Sequence, residues 1–225
     1  MGSRGVNTSG ITRRCALAWL AGAAFLGAGA LAGCGRGGAA GSDATRDASS
    51  PATGSTFAFD TYCTFSVYGD DSALSKLGDA CQRFDALFDL YDNESDIARI
   101  NAGGGGPVEV DPDTIDLVNR ALEFCAQADG RFDITIGAVS TLWDFDKGVR
   151  PTDDQIAAAL PHVGWRNVRV DDGAGTVQLT DPQAKLDLGG IAKGYVADRL
   201  CDLLREETDA TAAVISLGGN VAFFG

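Results

Sequence analysis

Apolar positions along the chain fall into three regimes. From residue 16 to 32 they are nearly continuous, and from 35 to 56 large apolar residues are almost absent. From Phe57 onward they recur at the spacings of strands and helices. Residues 57–68, rich in aromatic and β-branched side chains with partial alternation, predict one strand. After Ser72, a cap residue, Leu74, Leu77, Cys81, Phe84, Leu87 and Phe88 recur at helical spacing. A short helix over residues 95–101 precedes a glycine loop at 103–106. Asp111-Pro112 opens a second long helix that ends before Gly130. Thr152-x-x-Gln155 is a capping box for a third helix, stopped by Pro161. Residues 168–179 alternate around Asp172-Gly173-Ala174-Gly175 and read as a hairpin. Residues 185–188 predict a short strand running into glycines, then a helix over 191–205. A last strand at 213–217 meets Gly218-Gly219-Asn220. Strands and helices mix without strict alternation, which predicts an α+β fold: a mixed or antiparallel sheet with packed helices.

The first regime is a targeting signal. Arg4, Arg13 and Arg14 precede the apolar run, and no acidic residue lies in residues 1–34. The run is rich in Gly and Ala, a poor composition for a permanent membrane span. It ends in Leu31-Ala32-Gly33-Cys34, which resembles a bacterial lipobox. Residues 1–34 are therefore expected to be a lipoprotein signal, with Cys34 lipidated and the protein held on the extracytoplasmic face of a membrane. An ordinary signal peptide with an incidental cysteine is the alternative. Residues 35–56 read as a flexible tether, because such a composition cannot bury enough surface to offset ordering. Residues 57–225 are long enough for one domain with its own core.

Charge narrows the partners. The signal holds three of the 18 basic residues and none of the 31 acidic ones, so the remainder carries 15 basic against 31 acidic residues, a net charge of −16. Such a surface repels phosphate backbones, and nucleic acid is excluded as an expected partner. A phosphate-bearing ligand must be met locally, by backbone amides, a lysine or a metal. Beyond Cys34 the cysteines are Cys63, Cys81, Cys125 and Cys201, with no C-x-x-C pair to support a zinc or iron–sulfur site. Outside the cytoplasm they could pair, but each lies in an apolar-periodic segment and is expected as a buried free thiol. His162 is the only histidine, so a histidine metal cluster is excluded.

Two stretches carry the candidate chemistry. The first is Gly130-Arg131-Phe132-Asp133-Ile134-Thr135-Ile136-Gly137, followed by Trp143-Asp144-Phe145. Asp133 sits among core positions, where a carboxylate needs a donor or a ligand. The second is Leu186-Asp187-Leu188-Gly189-Gly190-Ile191-Ala192-Lys193-Gly194-Tyr195. There a strand is expected to end at two glycines that let a ligand reach the backbone, before a helix whose first-turn amides and Lys193 suit an anion. A plain strand-to-helix turn, with glycines for packing, is the alternative.

Taken together and in this order, the two stretches resemble the FAD:protein FMN transferase family, the ApbE flavin transferases. Their motifs read roughly G-[AR]-F-D-I-T-[VI]-G…W-x-F and D-L-G-G-I-A-K-G-x-x-x-D. Ser95-x-Ile97-x-x-Ile100-Asn101 is similar to a third family motif, and Ile215-Ser216-Leu217-Gly218-Gly219-Asn220 to a fourth. The resemblance implies a flavin transferase domain, T-fold-like, in which Phe59, Tyr91, Arg131, Phe132, Asp133, Asp187 and Lys193 fall on flavin-contacting positions. Gly190 falls where a carbonyl binds a divalent metal, usually magnesium. It implies that a Thr or Ser hydroxyl of a target flavoprotein attacks the FMN phosphate of FAD and expels AMP, with metal and lysine neutralising the pyrophosphate. The family also implies a further segment with adenine contacts and the rest of the metal shell, so the chain is expected to be the N-terminal two-thirds of such a domain. Asp60 departs from the family, which has a glycine there. Alternatives are an FAD pyrophosphatase, releasing FMN and AMP, and a flavin-binding lipoprotein without catalysis.

Overall fold

The computed structural model describes residues 50–225. The expected signal, the Cys34 anchor and most of the tether lie outside the described residues. The tether's last residues do not stay free of structure: strand β1 occupies Ala52–Ala58. Its Thr and Ser side chains hide the alternation, but the main chain pairs with β2 (Thr61–Tyr68) along its whole length.

The single strand expected over 57–68 is thus the end of β1, a two-residue turn and β2. In that turn both Phe59 and Asp60 have φ near 55°. Two consecutive left-handed residues match the twist of the flanking strands, a conformation that Gly and Asn adopt far more easily than Phe or Asp. A tertiary contact holds it, because the Phe59 N–H donates to Asp85 Oδ1 at 2.9 Å.

Asp85 belongs to α1 (Ala73–Phe88), whose buried residues Ala73, Leu77, Cys81, Phe84 and Phe88 follow the expected spacing. Ser72 does not cap it. Its hydroxyl and amide both donate to Asp70 Oδ1 instead. α2 (Asp96–Ala102) is capped by Ser95, and α3 (Pro112–Gln127) by Asp111 with Pro112 in its first turn. Between them lies β3 (Pro107–Glu109), too short and polar to read from sequence. α4 is a single turn, Gly137–Ser140. α5 (Asp153–Ala159) starts at Thr152 with both bonds of the capping box in place. The hairpin is β4 (Val168–Asp171) and β5 (Thr176–Leu179), followed by α6 (Ala192–Glu207). β6 (Ala212–Leu217) and β7 (Asn220–Phe224) then form a second hairpin through Gly218-Gly219.

The fold is α+β. Two antiparallel sheets form, one in the order β1-β2-β6-β7 and one in the order β3-β5-β4. α1 and α6 pack side by side on one face of the larger sheet, over the buried row Cys63, Phe65, Val67, Ala213, Ile215 and Leu217. Tyr195 on α6 meets Phe84 and Phe88 edge-on and donates its hydroxyl to Asp113 Oδ1 at 3.0 Å, which joins α6 to α1 and α3. Asp96, only 5 % exposed, accepts from the Thr114 hydroxyl and the Asp111 amide and holds α2 against the start of α3.

The β1–β2 turn yields a prediction. Replacing Asp60 by glycine removes a side chain from a left-handed residue and is expected to stabilise the fold by about 1 kcal/mol. A rise in the urea midpoint checks this. An unchanged or lower midpoint means that Asp60 is not strained.

Candidate functional site

The expected strand at 185–188 does not form. Lys185 makes an isolated parallel bridge with Ile136, and the Asp187 N–H donates to the Ile134 carbonyl at 2.8 Å. On its other edge Leu186 pairs with a side chain instead of a strand. Asn101 Nδ2 donates to the Leu186 carbonyl at 3.0 Å, and the Leu186 N–H donates to Asn101 Oδ1 at 2.6 Å. Both main-chain groups of Leu186 are bonded without belonging to a sheet.

This packing brings the two chemistry-bearing stretches together. Gly137 lies so close that a Cβ on it would stand 2.5 Å from the Lys185 carbonyl oxygen, which no real side chain tolerates. The Phe132 ring covers Gly190, with an edge carbon 3.1 Å from where a Cβ would be. Asp187 Oδ2 accepts from the Ser140 hydroxyl at 2.7 Å, and Oδ1 accepts from the Gly189 amide at 3.0 Å. Ser140 belongs to neither motif, and no sequence signal marked it.

The donor that Asp133 requires is protein, from two directions. Oδ1 accepts from the Thr135 amide and hydroxyl, at 2.8 and 2.6 Å, and Oδ2 accepts from the Trp165 amide at 2.9 Å. The Thr135 hydroxyl in turn accepts from the Gly164 amide at 2.7 Å. Asp133 and Thr135 therefore fix the 164–165 turn to the motif.

The Gly189-Gly190 turn is the shared wall of two shallow hollows. One, about 520 Å³, also touches Arg131, Phe132, Asp133 and Asp187. The other, about 510 Å³, touches Arg120, Phe124, Lys193, Gly194 and Asn220. The helix start is less open than expected. Both the Ile191 and Ala192 amides donate to the Leu188 carbonyl, at 3.0 and 2.8 Å. Among the described residues, the Lys193 and Gly194 amides are the first-turn donors without a backbone acceptor. Asn220 Nδ2 donates to the Lys193 carbonyl at 3.2 Å, which ties the fourth motif to this turn.

Tyr91 lies on the segment leading into α2, 72 % exposed. Its N–H donates to Asp89 Oδ1, and the Ser95 hydroxyl donates to the Asp89 carbonyl, so the motif serine anchors the segment that carries the tyrosine. Partial desolvation, then the carboxylates of Asp187, Asp60, Asp89 and Asp144, push the Tyr91 phenol above its ordinary pKa. Tyr91 is thus within electrostatic reach of Asp60 and Asp187. The pKa of the buried Cys63 thiol is lowered first by the Cys81 thiol and, as a small contribution, by the Lys193 charge. Of the residues named from sequence, Arg131, Phe132, Asp133, Asp187 and Gly190 share one hollow and Lys193 lies in the other. Phe59 lies half-buried at its turn, packed against the core.

This architecture has known counterparts. The model of a family described as "ApbE family" matches residues 59–225. An FAD:protein FMN transferase of Treponema pallidum is 32% identical over 179 residues, 73% of this chain and 49% of that protein. One of Klebsiella pneumoniae is 35% identical over 163 residues, 71% of this chain and 51% of that protein. The chain thus spans about half the length of the curated relatives it matches. The crystal structure of the ApbE protein of Thermotoga maritima aligns with a TM-score of 0.71 at 30% identity, covering 77% of this chain and 58% of that one. The flavin transferase ApbE from Vibrio cholerae aligns with a TM-score of 0.70 at 21% identity, over 77% of this chain and 59% of that one, a likeness of fold alone.

The Asn101 pairing can be tested directly. Asn101→Ala leaves the Leu186 amide and carbonyl without partners and is expected to cost about 2–4 kcal/mol. Chemical denaturation measures the cost, and faster hydrogen exchange at the Leu186 amide locates it. Wild-type stability with unchanged exchange means that the pairing holds nothing.

Proposed function

The chain belongs to the ApbE family, and on that premise we propose that it serves to transfer FMN from FAD to a Thr or Ser hydroxyl of a target protein. The hydroxyl oxygen forms the new bond to the FMN phosphorus, the bond to the AMP phosphate breaks, and AMP leaves. The observation that carries this reading is the convergence on the Gly189-Gly190 turn. An aromatic face (Phe132), cations (Arg131, Lys193) and side-chain-free backbone come together there from stretches about 50 residues apart. Aromatic faces suit the isoalloxazine ring, while Lys193 and the nearby amides suit the pyrophosphate. The carboxylates of Asp133 and Asp187 act through the loops they organise.

Magnesium fits these residues poorly. The Gly190 carbonyl is a hard oxygen donor, but among the described residues no group of three or more His, Cys, Asp or Glu side chains is arranged to hold a metal ion. Both Asp187 oxygens already accept protein hydrogen bonds. Within the described residues, charge neutralisation falls to Lys193, Arg131 and the turn amides.

In this reading the protein works from the extracytoplasmic face of a membrane, held through Cys34. The support is the Leu31-Ala32-Gly33-Cys34 sequence behind a basic, apolar leader.

Two predictions follow from these assignments. Lys193→Ala removes a charge-assisted contact and is expected to weaken FAD binding by about 1.5–3 kcal/mol. Asp187→Asn, with almost no change in volume, should weaken it as well by loosening the Gly189 turn. FAD titration followed by flavin fluorescence measures both, with thermal melts to establish folding. Wild-type affinity in both variants returns this turn to scaffold. For the anchor, the mature protein should partition into detergent and carry an acyl-modified Cys34 by mass spectrometry. Cys34→Ala should abolish both, and a variant that stays membrane-bound refutes lipidation there.

A further inference from the structure

The buried thiols divide into two kinds. Cys125 lies against the Ile134 backbone, and burial pushes its thiol up. Cys201, on α6, is half-buried beside Asp198, Arg205 and Asp202, and burial raises it too. Cys63 and Cys81, both 0 % exposed, are different because α1 is fixed across the strand pair that carries Cys63 by Gln82, the residue next to Cys81.

Their placement follows from the backbone. Cys63 is an inward residue of β2, opposite Thr56 in the β1–β2 register. α1 is fixed across this end of the hairpin. Gln82 Nε2 donates to Thr56 Oγ1 at 3.0 Å and to the Phe57 carbonyl at 2.8 Å, and Asp85 accepts the Phe59 amide at 2.9 Å. Cys81 precedes Gln82 and is buried in the same core cluster as Cys63, and the two side chains shift each other's titration in opposite directions. The Cys63 thiol also lies 3.8 Å from the Ala58 carbonyl oxygen.

We propose that Cys63 and Cys81 form a disulfide that staples α1 to β2 beneath the Phe59-Asp60 turn.

Either thiol, deprotonated in the open chain, attacks a sulfur of a low-molecular-weight disulfide, releasing one thiolate and leaving a mixed disulfide on the protein. The other thiol, once deprotonated, attacks the protein sulfur of that mixed disulfide and releases the second thiolate. Two thiols are oxidised, one external disulfide is reduced to two thiols, and the two protons pass to the released thiolates. Because both cysteines are fully buried in the folded state, the exchange takes place before α1 closes onto β2.

The cross-link would close the chain between residues 63 and 81, removing freedom from the unfolded state. It would also fix the floor of the hairpin whose turn presents Phe59. Cys63 pairs with Leu217 on β6, next to the Gly218-Gly219 turn, so the staple reaches the fourth motif through one strand.

The test is refolding of the full chain from denaturant, once with reduced and oxidised glutathione and once with excess reductant. Both samples are then denatured, alkylated and mapped without reduction. The expected map of the oxidised sample contains a Cys63–Cys81 cross-linked peptide pair, and its melting midpoint lies about 5–10 °C above that of the reduced sample. Cys81→Ala should abolish the cross-linked pair and the redox dependence of melting together. If that variant does not fold, the wild-type map decides alone. Alkylation of both cysteines in the oxidised sample, or a bridge from either to another cysteine, overturns the proposal.

Discussion

Two hydrogen bonds between the Asn101 side chain and the backbone of Leu186 hold the candidate site together, across 85 residues of sequence. A primary amide carries a donor and an acceptor side by side, so it imitates one residue of a neighbouring strand. Residues 185–187 are thereby satisfied on one edge by Asn101 and on the other by residues 134–136. A real strand in place of Asn101 would have extended the pairing into the glycines and covered them. A single side chain stops after one residue, and the chain is free to turn at Gly189. The Asp187 carboxylate then braces that turn through the Gly189 amide, and Ser140 braces Asp187.

The same economy answers the problem of charge. A domain this acidic repels anions at long range, but ionic screening confines that repulsion to about 8 Å at physiological salt. What counts at the turn is which carboxylates remain available nearby. Asp133 and Asp187 both accept bonds from protein donors, so part of their charge is spread over amides and hydroxyls. Lys193 and two first-turn amides then stand as local donors. Asp60 is the exception: an exposed carboxylate on a strained turn, within electrostatic reach of Tyr91.

Local chemistry was legible in the sequence, and tertiary substitution was not. Asp111-Pro112 and Thr152-x-x-Gln155 start helices because a cap is made within four residues. β1 escaped notice because Thr and Ser on a fully paired strand look like a linker. The Phe59-Asp60 turn carries no glycine or asparagine to mark two left-handed residues, and its shape is held by Asp85, 26 residues away. Residues 185–188 have strand composition, but their partner on one edge is a side chain, and no periodicity reports that. The two motif stretches were legible as chemistry, and their mutual contact emerges only from Gly137 and Ile134 meeting Lys185, Leu186 and Asp187.

The motif glycines separate packing from ligand approach. Gly137 is required because its backbone lies against two carbonyls, Gly190 because the Phe132 ring covers it, and Gly218 because Thr61 fills the space a side chain would take. For these three, contact with a neighbouring residue is a sufficient reason. Gly194 is different. It lies in the first turn of α6 with no atom within 4 Å of where a Cβ would project, and no positive φ calls for glycine. An exposed glycine there costs helix stability, about 1 kcal/mol against alanine. Packing gives nothing in return for that cost. The open side of Gly194 belongs to the hollow that also holds Lys193 and the Gly189-Gly190 turn. On the proposed reading, the pyrophosphate of the substrate would lie on this bare stretch of backbone.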